Sequence, residues 1–210
     1  MTVTGCAEAK QDISVPDRIV AAAGRLIASQ GLRATSVDDI ASSAGCGRAT
    51  VYRYFPGGRA ELLDVTLDQG VDRIFASCSQ VTDHAATLAE AVAGTINIAV
   101  LELSNDAVVQ QLLVDEPDTI ATLISPVRIE PLFERASKWG TANFSRFVEP
   151  AVAAHVGEWC ARVVTDHLRS PAPIIDVTDA GLARALVEIF LIPTLTPALA
   201  AGLPNPIRSF

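Results

Sequence analysis

The chain has 210 residues, is 50% hydrophobic and only 5% aromatic, and carries a formal net charge of −8. That length and apolar content suffice for a sizeable core in one or two domains, and the abundance of Ala, Leu and Val over aromatics favours helices over sheets. The overall acidity excludes a protein that coats nucleic acid indiscriminately, because long-range repulsion opposes contact with phosphate.

The charge is unevenly placed. Residues 16–60 hold six arginines against three aspartates, a net of +3, whereas residues 71–210 hold nine basic and sixteen acidic residues, a net of −7. A basic head on an acidic body fits a protein that touches DNA at one end only. Cys6, Cys46, Cys78 and Cys160 are scattered, with no CxxC and no histidines at ligand spacing, so no metal site is expected. A chain this size needs no disulfide, and a reducing cytoplasm is the expected location. No basic stretch followed by an apolar run opens the chain. The apolar residues 185–204 are interrupted by Glu188, Pro193 and Pro197, which leaves no run of about 20 for a membrane.

In chain order, residues 1–14 are polar and aperiodic and read as a flexible tail. Residues 16–30 predict a first helix, with Pro16 in its first turn, Ile19, Ala23, Leu26 and Ile27 as its buried stripe, and Gly31 at its end. Ser36 can cap a second helix, and Asp39 stands where a capping-box carboxylate reaches back to the cap N–H. Val37, Ile40, Ala41 and Ala44 share one face of it, and Gly45 ends it. A third helix starts near Arg48 and turns Val51 and Phe55 inward, with Arg48, Thr50, Tyr52, Arg53 and Tyr54 on its other face. Ile40, Ala44, Cys46, Val51 and Tyr54 are the expected interior of this pair. Pro56, Gly57 and Gly58 stop it, and a fourth helix runs from near Arg59 to about Cys78.

Beyond this the spacing predicts helices over 87–104, 106–115, 129–147 (with a break near Gly140), 150–169 and 178–193, and a turn or short helix over 118–125. The expected whole is all-α with about nine helices. Residues 15–60 form a three-helix DNA-binding domain, and residues 61–210 form a larger helical domain.

Two helices joined by a short glycine-containing turn form a helix-turn-helix. Such a second helix fits the major groove and meets base edges with its N-terminal residues. The wider stretch PDRIVAAAGRLIASQG followed by LRATSVDDIASSAGCGRATVYRYFPGGRAELL resembles the DNA-binding domain of TetR-family transcriptional regulators. The remainder matches that family only in being helical and of suitable length.

The resemblance implies a homodimer on a palindromic double-stranded DNA operator. It also implies a C-terminal ligand-binding and dimerisation domain and release by a small molecule. It assigns DNA contact to Thr35, Ser36, Arg48, Ala49, Thr50, Tyr52, Arg53, Tyr54 and Arg59, with Arg48 for direct readout and Arg59 for phosphate. Two departures stand out. Gly47 takes the place of the usual Ser or Thr, and PGGR is one residue longer than the common turn, which puts the placement of Arg59 in question. Ile96, Val100, Leu103, Phe133, Trp139, Asn143, Phe144 and Phe147 are material for a mainly apolar pocket. Val152, Val156, Cys160 and Val163, with Leu182, Leu186, Ile189 and Phe190, form the stripes of the last two helices, which pair across a two-fold axis in the family. A repressor is the leading reading. An activator, a ligand-independent regulator and a helical interaction module with a degenerate head are the competitors. No nucleophile motif, phosphate loop or convincing carboxylate pair points to an enzyme, and no cofactor is implied.

Overall fold

Capping and helical periodicity carry through to the structure. The computed structural model describes residues 13–170 and 175–195, so Cys6, the terminal LPNPIRSF and most of the expected tail lie outside the described residues. All regular structure among the described residues is helical: α1 (Val15–Gln30), α2 (Val37–Ala44), α3 (Arg48–Tyr54), α4 (Gly58–His84), α5 (Leu88–Asn105), α6 (Ala107–Asp115), α7 (Pro117–Leu123), α8 (Pro126–Phe144), α9 (Pro150–Arg169) and α10 (Ala180–Leu186), with a π-helical turn at Val187–Leu191. Of the turn or short helix expected over 118–125, the structure shows the helix, α7, which buries no residue. The chain divides into two compact units, 1–68 and 69–210, with the division inside α4.

In the first unit Ser14 caps α1 by accepting from the Asp17 N–H. Ile19, Val20, Ala23 and Ile27 of α1 are buried, together with Ile40, Val51, Phe55 and Leu62. Tyr54, expected in this interior, is exposed instead, because the buried Phe55, four residues after Val51, takes the inward place at the end of α3.

In the second unit α4 runs to His84, six residues past the expected end at Cys78. The extension is held from afar. Thr82 is buried with its hydroxyl on the Cys78 carbonyl (2.9 Å), and the Arg146 guanidinium donates to the carbonyls of Thr82 and Ala85. Helix α8 begins at Pro126 rather than near Ile129, ends at Phe144, and is unbroken at Gly140. A Cβ on Gly140 would lie 2.6 Å from both the Ala153 carbonyl oxygen and the Gly157 Cα, so this glycine is where α8 and α9 touch backbone to backbone. Within the chain α9 packs chiefly on α8, and α10 packs on α5. The last helix runs from Ala180 through the π turn and returns to α geometry over 192–195, so it reaches past the expected end at Pro193 with a π turn inside it.

No single helix among the described residues is long and apolar enough to cross a membrane; α5 and α6 meet the length and composition only as a pair bent by 67°. No group of three or more His, Cys, Asp or Glu side chains among them is placed to hold a metal ion.

Candidate nucleic-acid interface

The reading head is assembled by local hydrogen bonds. The Asp39 N–H donates to Ser36 Oγ (3.1 Å), and the Ser36 N–H and hydroxyl both donate to Asp39 Oδ2 (3.1 and 2.5 Å). These bonds from Ser36 hold the Asp39 carboxyl below its ordinary value. Gly45 ends α2 at φ 67°, a left-handed conformation that costs glycine little. At Gly47 no side chain caps α3, as the missing hydroxyl implies.

The resulting corner buries Val51 and presents Arg48, Ala49, Tyr52, Arg53 and Tyr54 to solvent, with Thr50 half-exposed. The basic residues are not loose. Arg48 Nη1 donates to Asp38 Oδ2 (2.7 Å), and the guanidinium lies 5.5 Å from the Tyr52 ring centroid. The Asp38 carboxylate, and after it Tyr52, keep Arg48 protonated above even its usual range. Tyr52 leans on Gly58, where a Cβ would stand 3.3 Å from the ring and φ is 62°. Arg53 stacks on Tyr54 at 4.8 Å and donates to its hydroxyl (3.2 Å).

Two expected phosphate contacts are committed elsewhere in this conformation. Thr35 is fully buried, and its hydroxyl donates to the Gly31 carbonyl (2.8 Å), so it braces the α1–α2 turn. Arg59 Nη1 donates to the carbonyls of Leu32 (3.0 Å), Arg33 (3.2 Å) and Thr35 (3.3 Å). Sequence reasoning missed Asp38, since nothing in a ten-residue separation marks a partner for Arg48. It also missed Gly58 as the seat of Tyr52, although the glycine pair was a visible signal.

In the second unit the residues expected around a ligand largely pack on one another. Phe144 is fully buried edge-on to Trp139, with ring centroids 5.1 Å apart, and Trp139 Nε1 donates to Ser79 Oγ (2.8 Å). Asn143 Nδ2 donates to the Trp139 carbonyl (2.9 Å), and Arg162 covers Phe133 at 4.2 Å. Phe147 lies under the Arg146 guanidinium, 4.4 Å from it, and Ile96 is in the core. Val100 and Leu103 do line a cleft of about 140 Å³, whose walls also include Gln110, Leu113, His167 and Leu168.

The dimer candidates separate into two groups. Val156 and Cys160 belong to the core of the second unit, with Val152 and Val163 packed against it, because the glycine crossing seats α8 on that side of α9. Leu186 is half-buried, whereas Leu182, Ile189 (63%) and Phe190 (57%) stand exposed on α10 and its π turn. Burial raises the thiols of Cys78, to about 12, and of Cys160, which leaves both protonated at neutral pH. Cys46 is half-buried against the core of the first unit.

Residues 19–65 match the family model described as bacterial regulatory proteins, tetR family. An uncharacterized HTH-type transcriptional regulator of Mycobacterium tuberculosis is 26% identical over 214 residues, covering 98% of this chain and all of that protein. A second such regulator from that organism is 34% identical over 64 residues, 30% of this chain and 33% of its own length. Among solved structures, the TetR family repressor AlkX from a Dietzia strain, implicated in biodegradation of n-alkanes, superposes with a TM-score of 0.68 at 23% identity, covering 90% of this chain and 96% of that one. The fatty acid degradation regulator FadR from Bacillus halodurans gives 0.54 at 19% identity, over 87% and 99%. Both likenesses bear on the fold.

Proposed function

Since the chain belongs to the TetR family of bacterial regulatory proteins and is a transcriptional regulator with a helix-turn-helix DNA-binding domain, we propose that it is a repressor. In this reading it occupies a palindromic operator as a homodimer and leaves it when a small, mainly apolar molecule binds the second unit. The observation that carries the reading is the exposed face of α3, where Arg48, Tyr52 and Arg53 stand out from a helix anchored by Val51. Arg48 is the candidate for direct readout, because a guanidinium can bond guanine O6 and N7 together.

Homodimerisation is supported by exposed Leu182, Ile189 and Phe190, apolar groups that a partner surface would take out of water. One chain carries one reading helix, and two half-sites about 34 Å apart need two. The apolar effector is supported by the walls of the cleft around Val100, Leu113 and Leu168, with Gln110 and His167 as polar points. At about 140 Å³ the cleft is below the several hundred Å³ of ordinary ligand sites, so an effector must open it. Release then requires that the opened form bind DNA less well.

Footprinting on the DNA upstream of its own gene, repeated across a salt series, tests the reading. A protected, roughly palindromic site with a steep salt dependence is the expected result. Equal, weak binding to every duplex would reject the sequence-specific repressor. Release of the footprint by a polar ligand or a metal ion instead would reject the apolar effector.

A further inference from the structure

An acidic side chain at the DNA-facing corner needs a reason. Asp38 lies on α2 beside the recognition helix, and the capping box is made by its neighbour Asp39, not by Asp38. Its side chain is 61% exposed, and the Arg48 side chain is 59% exposed. An exposed ion pair of this kind adds little to folding stability. A carboxylate there also repels the phosphates that the head must approach. Asp38 therefore weakens binding to DNA in general, unless what it does to Arg48 compensates.

What it does is geometric. One guanidinium N–H is held at 2.7 Å by Asp38 Oδ2, and the guanidinium is confined on another side by the Tyr52 ring. Tyr52 is itself seated on Gly58, whose left-handed backbone (φ 62°) disfavours any side chain that would displace the ring. Arg has five N–H donors in a rigid fork, so the others stay available while the rotamer is restricted. A free arginine at this place would neutralise whichever phosphate came near. A restrained one, with its charge offset by Asp38, loses that sequence-independent attraction and keeps directional hydrogen bonding.

We infer that Asp38 is a specificity-determining positioning residue: its carboxylate holds Arg48 against Tyr52, so that Arg48 reads one base pair and is kept off the phosphate backbone. The inference rests on the proposed role of Arg48 as a base-contacting residue. Specificity is a difference between affinities, and Asp38 widens it from the non-specific side.

The test selects binding sites from a random double-stranded DNA library with the full chain, as wild type, R48A, D38A, D38N and the D38A/R48A double variant. R48A is expected to flatten preference at one base pair of each half-site. D38A should flatten the same base pair by about five- to tenfold, a part of what a bidentate contact supplies. It should also raise affinity for non-specific duplex by about threefold and steepen the salt dependence by about one phosphate. D38N, which keeps the shape and removes the charge, should move both readouts the same way. In base preference the double variant should match R48A, because Asp38 acts on readout through Arg48.

A D38A profile identical to wild type, alongside an altered R48A profile, would overturn the role of Asp38 and leave Arg48 as a reader. Flattening at a base pair that R48A does not touch would also overturn it, since Asp38 would then contact DNA itself. An R48A profile unchanged from wild type would remove the Arg48 reading and this inference with it, as would a wild-type chain that enriches no sequence.

Discussion

The α2–α3 corner and the α8–α9 crossing solve the same problem, two helices held together, in opposite ways. At the corner the helices have eight and seven residues, and polar groups hold the frame: Ser36 with Asp39 at the cap, and Arg59 on the carbonyls of the preceding turn. At the crossing the helices have nineteen and twenty residues, and the closest approach is between backbones, at Gly140 and Gly157. Short helices are marginal alone, so the corner adds caps to the burial of Ile40, Ala44 and Val51 and keeps its outer face polar. Long helices with small residues at the contact can rely on dispersion and burial. The first construction leaves functional groups exposed. The second makes a frame with no room for an added methyl.

The contrast breaks most visibly at Gly157. A Cβ there would collide with the Ala136 carbonyl oxygen and stand 2.7 Å from the Gly140 Cα. Gly157→Val is expected to cost about 3 kcal/mol or more, at the upper end of overpacking effects. Both tryptophans, Trp139 and Trp159, lie in the second unit, so urea unfolding followed by their fluorescence reads it. A loss under about 1 kcal/mol would mean that the helices separate cheaply and that the glycine contact is not what holds them.

The exposed α10 face comes next. Phe190→Glu combined with Ile189→Glu should raise the dissociation constant of the proposed homodimer by about 100-fold, the size of a central interface contact. The monomer should change by no more than about 0.5 kcal/mol, since both side chains are exposed. Sedimentation over a concentration series measures the first and urea unfolding the second. An unchanged mass at every concentration would take this face out of the dimer interface.

At the head, Arg59→Ala removes a charged donor from three carbonyls. About 1 kcal/mol is expected, below the usual value for charge-assisted bonds because the side chain is exposed. Faster amide exchange across residues 31–36 would register it. The salt slope of DNA binding should not change. A slope reduced by about one would restore Arg59 to a phosphate.

An effect of similar size belongs to the cap. Ser36→Ala should cost about 1 kcal/mol at neutral pH and let the Asp39 carboxyl rise toward its ordinary 3.8. The folded value lies below the unfolded one, so this stabilisation is complete above the ordinary value and disappears as pH falls through the folded one. An NMR titration of Asp39 in both proteins checks the sign. An Asp39 that titrates identically in the variant would separate it from the cap.

Features that depend on neighbours in the chain were legible. Ser36, Asp39 and Gly45 mark the ends of α2 by chemistry acting over three residues or fewer, and they stand in the structure as read. The same holds for α9, which opens at Pro150 where the spacing placed its start. Features that depend on which segments meet were not. Periodicity left Gly140 as a break in α8, because a glycine in one helix is a weak point until another glycine is brought against it. It ended α4 near Cys78, because the carbonyls beyond are satisfied by Arg146, more than sixty residues away.

The site divides along the same line. Helical periodicity was enough to place Val51 inward and Arg48, Tyr52 and Arg53 outward on α3, but not to place Tyr54, three residues from Val51, on the outer face. What those side chains hold depends on how the helices come together. It placed Arg48 on Asp38, Tyr52 on Gly58, and Arg59 on the turn after α1. Each partnership joins residues that no local rule connects, within distances of a few ångströms set by how the helices cross.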